Sequence, residues 1–237
     1  MRLFSCLASL FVGLFWLCAD DTTDKRPPWD ASILVSFNRG DATDRSYSAA
    51  TGTLTSGASI GNNTYASFDG TDDYIDFGTV AAHSSFPISI SLWFNTLSQD
   101  QVSYSSIAGK YVTASVNGWL IMMNTSEQVG AFYYRDGSNF TGDFPRLVST
   151  ATYKDSNWHH VVFVVYSGGS VLYIDGASAD ADSWTGTPQA TTSATSTRMG
   201  AHTASGFRWK GNLDDFAIYN RELTAAEVGA IYATGRR

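Results

Sequence analysis

Cysteine is almost missing from this chain of 237 residues, and the two that occur, Cys6 and Cys18, both stand near its beginning. A protein relieved of that segment has no thiol and forms no disulfide, so its stability must come from its core. Proline is scarce too, with 5 in the chain. Lys, Glu and Leu are thinly spread through the body, which argues against a helical protein. Basic charge is in deficit: 15 Lys and Arg stand against 22 Asp and Glu, a net charge of −7. Such a balance repels nucleic acid and anionic membrane and excludes both as partners. No Pro-rich or charge-rich linker interrupts the middle of the chain, so a single domain is expected.

The chain opens with Met1-Arg2 and the apolar run Leu3 to Leu17, the charged and hydrophobic parts of a secretory signal peptide. That run is shorter than the roughly 20 residues a bilayer requires. We expect a signal peptide over 1–19, a secreted product, and no membrane insertion after cleavage. Residues 20–32 contain Pro27-Pro28 and read as an extended polar leader, with the domain running over 33–237. Gly, Ser, Thr and aromatics dominate from there, and short apolar runs alternate with turn clusters. In Ile88 to Asn95 the period is two, placing Ile88, Ile90, Leu92 and Phe94 on one face. Val161 to Val165 shows no alternation, which predicts a strand covered on both sides by the second sheet and a loop or partner. Ser167-Gly168-Gly169 and Asp175-Gly176 predict tight turns, and 178–197 reads as a long loop or irregular edge strand. Thr224-Ala225-Ala226-Glu227 has the spacing of a capping box, so a short helix ends the chain, stopped by Gly235. The expected fold is all-β: a two-sheet antiparallel jelly-roll β-sandwich with a short C-terminal helix.

Four segments carry a resemblance: Ala66 to Gly78, Ile88 to Phe94, Trp158 through Gly176, and Gly211-Asn212-Leu213-Asp214-Asp215-Phe216 through Leu223 with its trailing helix. In order and spacing they resemble the laminin-G-like jelly-roll domains of the concanavalin A-like lectin/glucanase superfamily, over nearly the whole mature chain. The resemblance implies a fold shared by glycan-binding modules, adhesion domains and spacers attached to enzymes. It also implies a structural calcium ion, held by Asp214 and by the Asp69-Gly70 turn. A hard cation wants six to eight oxygens, and Asp72, Asp73 and Asp215 lie in the same segments. The same aspartates also suit the capping of turns by accepting backbone N–H groups. His159 and His160, adjacent in a strand, point to opposite faces and cannot chelate one metal side by side.

Sugar binding asks for aromatic faces and hydroxyl-bonding side chains. Trp119, Tyr133, Arg135, His202, Arg208 and Trp209 are the candidate ligand-binding residues, with Tyr111, Tyr134 and Trp184 beside them. Tyr133 and Tyr134 point to opposite faces of a strand, so at most one looks outward. No Gly-x-Ser-x-Gly elbow, His-Glu-x-x-His helix or phosphate loop occurs. Asp180 and Asp182 alternate, but in a stretch read as loop, so no catalytic residue is assigned and no enzyme is expected. The reading is a secreted, non-catalytic module that takes a glycan or glycoprotein through its loops or concave sheet face. The rival is a self-associating subunit of an extracellular filament, coat or surface layer, with a glycoside hydrolase a further alternative.

Overall fold

The computed structural model describes residues 31–37, 40–43, 50–62, 64–96, 104–113, 116–134, 147–184, 189–202 and 206–236. The expected signal segment, Arg135 and all but the end of the expected leader lie outside the described residues. The leader's last two positions, 31 and 32, already belong to a strand.

Two antiparallel sheets face each other. The first has eight strands. Seven of them follow in spatial order: β13 (Ala177–Ser183), β12 (Gly169–Ile174), β11 (Trp158–Tyr166), β6 (Ile88–Thr96), β15 (Lys210–Tyr219), β4 (Tyr65–Asp69) and β3 (Ser59–Gly61). The eighth, β1 (Ala31–Val35), pairs with residues 216–219 of β15, while β4 pairs with 210–213 of the same strand. The first and last strands of the domain are therefore neighbours. The second sheet runs β10 (Leu147–Val148), β9 (Val129–Tyr134), β8 (Asn117–Met123), β7 (Ser105–Val112), β14 (Arg198–Met199), β5 (Tyr74–Asp76) and β2 (Thr53–Thr55). A 3-10 turn at Ala81–Ser84 leads into β6. The helix α1 spans Ala225–Ala233.

The alternation in β6 does what its period requires. Ile88, Ile90, Leu92 and Phe94 enter the core between the sheets, with Val161, Phe163 and Val165 of the neighbouring β11. The other face of β11, Val162 and Val164, meets Val228 and Ile231 of α1 in a second cluster. The cover expected over this unbroken apolar run is thus the protein's own helix. Thr224 accepts the Glu227 N–H while the Glu227 carboxylate accepts the Thr224 N–H, so the helix start is satisfied as its sequence predicts. Asp175 and Gly176, both left-handed at φ 50° and 79°, form the turn from β12 to β13.

Of 178–197, read as a long loop or an irregular edge strand, residues 178–183 lie in the edge strand β13, paired with β12. The alternation of Ala and Asp there lacked the apolar residues that mark a strand because this is a sheet edge with little to bury. Trp158 opens β11 half-buried on the outer face of the sheet.

Candidate functional site

Strand parity divides β7, β8 and β9 into two faces. Trp119, Ile121, Met123, Ala131 and Tyr133 join the core between the sheets. Tyr111, Leu120, Met122, Phe132 and Tyr134 face the other way and form a separate cluster, with Tyr104 packed against it. Their rings run on as a band. Phe132 lies 5.0 Å from Tyr134 and 4.7 Å, edge on, from Tyr111. Tyr111 lies 5.7 Å from His202, and His202 lies 5.1 Å from Phe207. Such spacings suit edge-to-face and offset aromatic pairs.

Exposure concentrates at one end of this band. Phe207 is 38% exposed, while Phe132 is wholly covered. Phe207 and Tyr104 both have left-handed backbones, at φ 58° and 60°. That conformation is disfavoured for large side chains and costs on the order of 1–3 kcal/mol where it persists. The surroundings hold it in place: the Phe207 carbonyl accepts the Ser106 N–H at 2.9 Å, and the Trp209 N–H donates to Gly200 O at 2.9 Å. Ser106 Oγ is hydrogen-bonded to His202 Nδ1.

The band is electrically neutral. Burial, followed by the charges of Arg198 and Arg208, pushes His202 down to about 4, so its imidazole is uncharged at neutral pH. Burial and Tyr134 push the Tyr111 hydroxyl up to about 12. Apolar ring faces beside uncharged hydroxyl and imidazole groups offer stacking together with hydrogen bonding, and no ion pairing.

Of the predicted ligand-binding residues, His202 is in this band. Trp119 is 0% exposed and its indole N–H donates to the His83 carbonyl at 2.9 Å. Trp209 is equally enclosed and meets Phe94 edge to face at 6.0 Å. Tyr133 accepts the Thr191 N–H at 2.7 Å and donates to Gln189 O at 3.2 Å inside the core, with burial raising its pKa. None of these three presents a face to a ligand, because each sits on the inward parity of its strand or just before one. Arg208 is also buried, its guanidinium 5.3 Å from the centre of the Tyr74 ring. Tyr104, Phe132 and Phe207 were not singled out beforehand. Parity alone would have grouped Phe132 with Tyr134, but Phe207 and Tyr104 lie outside strands, where no period marks them.

The expected metal set does not assemble. Lys210 pairs with Asp69, so Asp214 lies four residues along β15 from it, roughly 13 Å at the usual rise of a strand. Asp214 is fully buried and ion-paired with Arg236 at 2.8 Å. Burial and then the neighbouring Asp215 push its carboxyl up to about 7, against the pull of Arg236. The Asp69-Gly70 turn instead gathers Asp69, Asp72 and Asp73, with a carboxylate oxygen of each within 4.8 Å of the others. Two of the three already cap the turn: Asp73 Oδ2 accepts the Asp69 N–H at 2.8 Å, and Asp69 Oδ1 accepts the Thr71 N–H at 2.7 Å.

Comparisons with known proteins agree with this architecture. The family model described as the concanavalin A-like lectin/glucanases superfamily matches residues 69–229. Domain 4 of AbnA, a GH43 extracellular arabinanase from Geobacillus stearothermophilus solved with arabinotriose, is similar with a TM-score of 0.62 at 19% identity. The match covers 86% of this chain and 98% of that domain. The binding domain of Paraclostridial Mosquitocidal Protein 1 has a TM-score of 0.65 at 16% identity, over 86% of this chain and 52% of that one. Trypanosoma rangeli sialidase in complex with the inhibitor DANA has a TM-score of 0.63 at 11% identity, over 84% of this chain and 32% of the enzyme. This chain therefore spans about half of the mosquitocidal domain and a third of the sialidase. At such identities the likeness concerns the fold alone. No curated protein matches the sequence.

Proposed function

Given that the chain belongs to the concanavalin A-like lectin/glucanases superfamily, we propose that it is a non-catalytic module that binds a neutral glycan at the Phe207 end of the aromatic band. The observation that carries this reading is the unbroken run of uncharged rings from Tyr134 through Tyr111 and His202 to Phe207, open at Phe207. Sugar rings present apolar C–H faces to aromatics and hydroxyls to neutral donors and acceptors, and a preformed, strained backbone at Phe207 keeps the stacking ring in place. The similarity to an arabinanase domain solved with arabinotriose supports the same class of ligand.

Against catalysis, the band includes no carboxylate among the described residues, whereas glycosidic hydrolysis ordinarily uses two flanking the bond. Asp180 and Asp182 alternate on the edge strand β13. Asp180 accepts the Val148 N–H at 2.9 Å and the Ala181 N–H at 2.8 Å, a role in tying the sheet edges together. The apolar segment Leu3 to Leu17 supports a secreted module. No helix among the described residues is long and apolar enough to cross a membrane.

A glycan array followed by calorimetric titration tests the proposal. Binding to an uncharged oligosaccharide is expected, and Phe207→Ala should weaken it about tenfold, the loss of one stacked ring. Concentration-dependent assembly with no sugar bound would favour the structural-subunit reading, and release of reducing sugar from the bound glycan would make the protein an enzyme.

A further inference from the structure

The helix that covers the eight-stranded sheet leads into a turn that sets an arginine on a buried carboxylate. Gly235, left-handed at φ 74°, reverses the chain after α1. Arg236 Nη1 then donates to Asp214 Oδ2 at 2.8 Å and to Thr64 O at 3.1 Å. Its guanidinium carbon lies 4.2 Å from the centre of the Trp158 ring and 6.0 Å from that of Tyr65, and those two rings are 5.9 Å apart. The second oxygen of Asp214 accepts the Asp215 N–H at 2.8 Å and faces the Phe37 N–H at 3.5 Å.

The resemblance to laminin-G-like domains expects calcium at Asp214, and its surroundings do not fit one. A hard cation takes six to eight oxygens. Here, among the described residues, one carboxylate and one carbonyl accept from the guanidinium, and an indole and a phenol lie beside it, with Asp215 next to Asp214 in the chain. A flat, weakly hydrated cation that stacks on a ring face and donates from its edge suits these surroundings.

We propose that Asp214, Trp158, Tyr65 and the Thr64 carbonyl form a guanidinium-binding site, filled in cis by Arg236. Arg236 is the resident counter-ion of Asp214 and fastens the segment after α1 to strands β4, β11 and β15. The site takes alkylguanidinium ligands in preference to metals or simple ammonium ions.

The test is chemical rescue of Arg236→Ala in the full chain, followed by thermal unfolding. Removing one partner of a buried pair should lower Tm by about 10 °C. Millimolar methylguanidinium should restore part of this loss with a saturable dependence, as a ligand of the native state does. Methylammonium and calcium should restore less, and neither the wild type nor Asp214→Asn combined with Arg236→Ala should be stabilised by methylguanidinium. Restoration by calcium in place of methylguanidinium would overturn the proposal in favour of a metal site. An unchanged Tm in Arg236→Ala, or equal rescue of the double variant, would overturn it outright. Should Arg236→Ala not fold, Arg236→Lys keeps the charge and loses the planar fork. A Tm below wild type is then expected, and wild-type stability would overturn guanidinium selectivity.

Discussion

The outer faces of the two sheets are built from the same alternation and finished differently. On the eight-stranded sheet, small polar residues lie among the apolar ones, and the protein covers them itself. Ser89 Oγ donates to Arg221 O at 2.8 Å and accepts the Leu223 N–H at 3.0 Å, drawing the chain into α1. Trp93 then stacks under Tyr232 at 5.7 Å, and Ser91 is bonded to His160 at 2.9 Å. On the seven-stranded sheet, Tyr111, Phe132 and Tyr134 crowd one face, and no helix among the described residues lies on it. A face that leaves room for a helix and supplies its hydrogen bonds is a docking surface for the chain itself. On the other face Tyr111, Phe132 and Tyr134 are themselves buried, and the band meets an external partner at the exposed Phe207.

The largest expected effect falls on the covered face. Trp93→Ala removes the platform of Tyr232 and should cost about 4 kcal/mol in denaturant unfolding, with glycan affinity unchanged. A loss of affinity in step with stability would mean that the two faces are not independent.

Next comes the histidine of the aromatic band. His202 has its pKa lowered from 6.5 to about 4, so the folded state binds fewer protons than the unfolded one between those values. Its contribution is present above the unfolded pKa and is lost as pH falls through the folded one, on the order of 3 kcal/mol in full. His202→Gln should flatten stability between pH 6.5 and 4 relative to wild type. His159, on the eight-stranded sheet, has the opposite sign. Its Nδ1 is 2.8 Å from Asp175 and its Nε2 is 3.1 Å from Asp155, so both nitrogens face carboxylates and both must donate. The Asp175 hydrogen bond, aided by Asp155 and opposed by burial, raises its pKa above 6.5. Its stabilisation is complete below 6.5 and is lost as pH rises through the raised value. Asp175→Asn should remove that alkaline decline, and an unaltered profile would show that His159 stays neutral.

A smaller effect separates strain from contact at Phe207. Phe207→Gly relieves the left-handed backbone and should raise stability, or leave it level, by about 1 kcal/mol at most, while sugar affinity falls. Concerted loss of both would assign Phe207 to the core. Smallest, Thr224→Ala breaks the capping box of α1 at a cost of about 1 kcal/mol or less, with no effect on the aromatic band.

Much of the fold was legible in the residues. The period-two pattern of β6, the unbroken run in β11, the Asp175-Gly176 turn and the Thr224 capping box each correspond to an element found in place. The site was less legible. Tyr133-Tyr134 announces two faces without saying which is the core, and Trp119, the largest aromatic nearby, drew attention to a side chain that turns inward. The run Trp119-Leu120-Ile121-Met122-Met123 is apolar at both parities, so composition could not identify the outer face.

Local chemistry in the chain determined the elements and the hairpin turns between neighbouring ones, because hydrophobic period, turn residues and caps act within a few positions of one another. Only the packed structure decided which aromatics form the band and which cation meets Asp214. Both depend on register and on where a helix comes to rest. The expectation of calcium drew on Asp69 and Asp214 as if they were adjacent, yet register holds them four residues apart, and the chain's own Arg236 lies against the buried carboxylate.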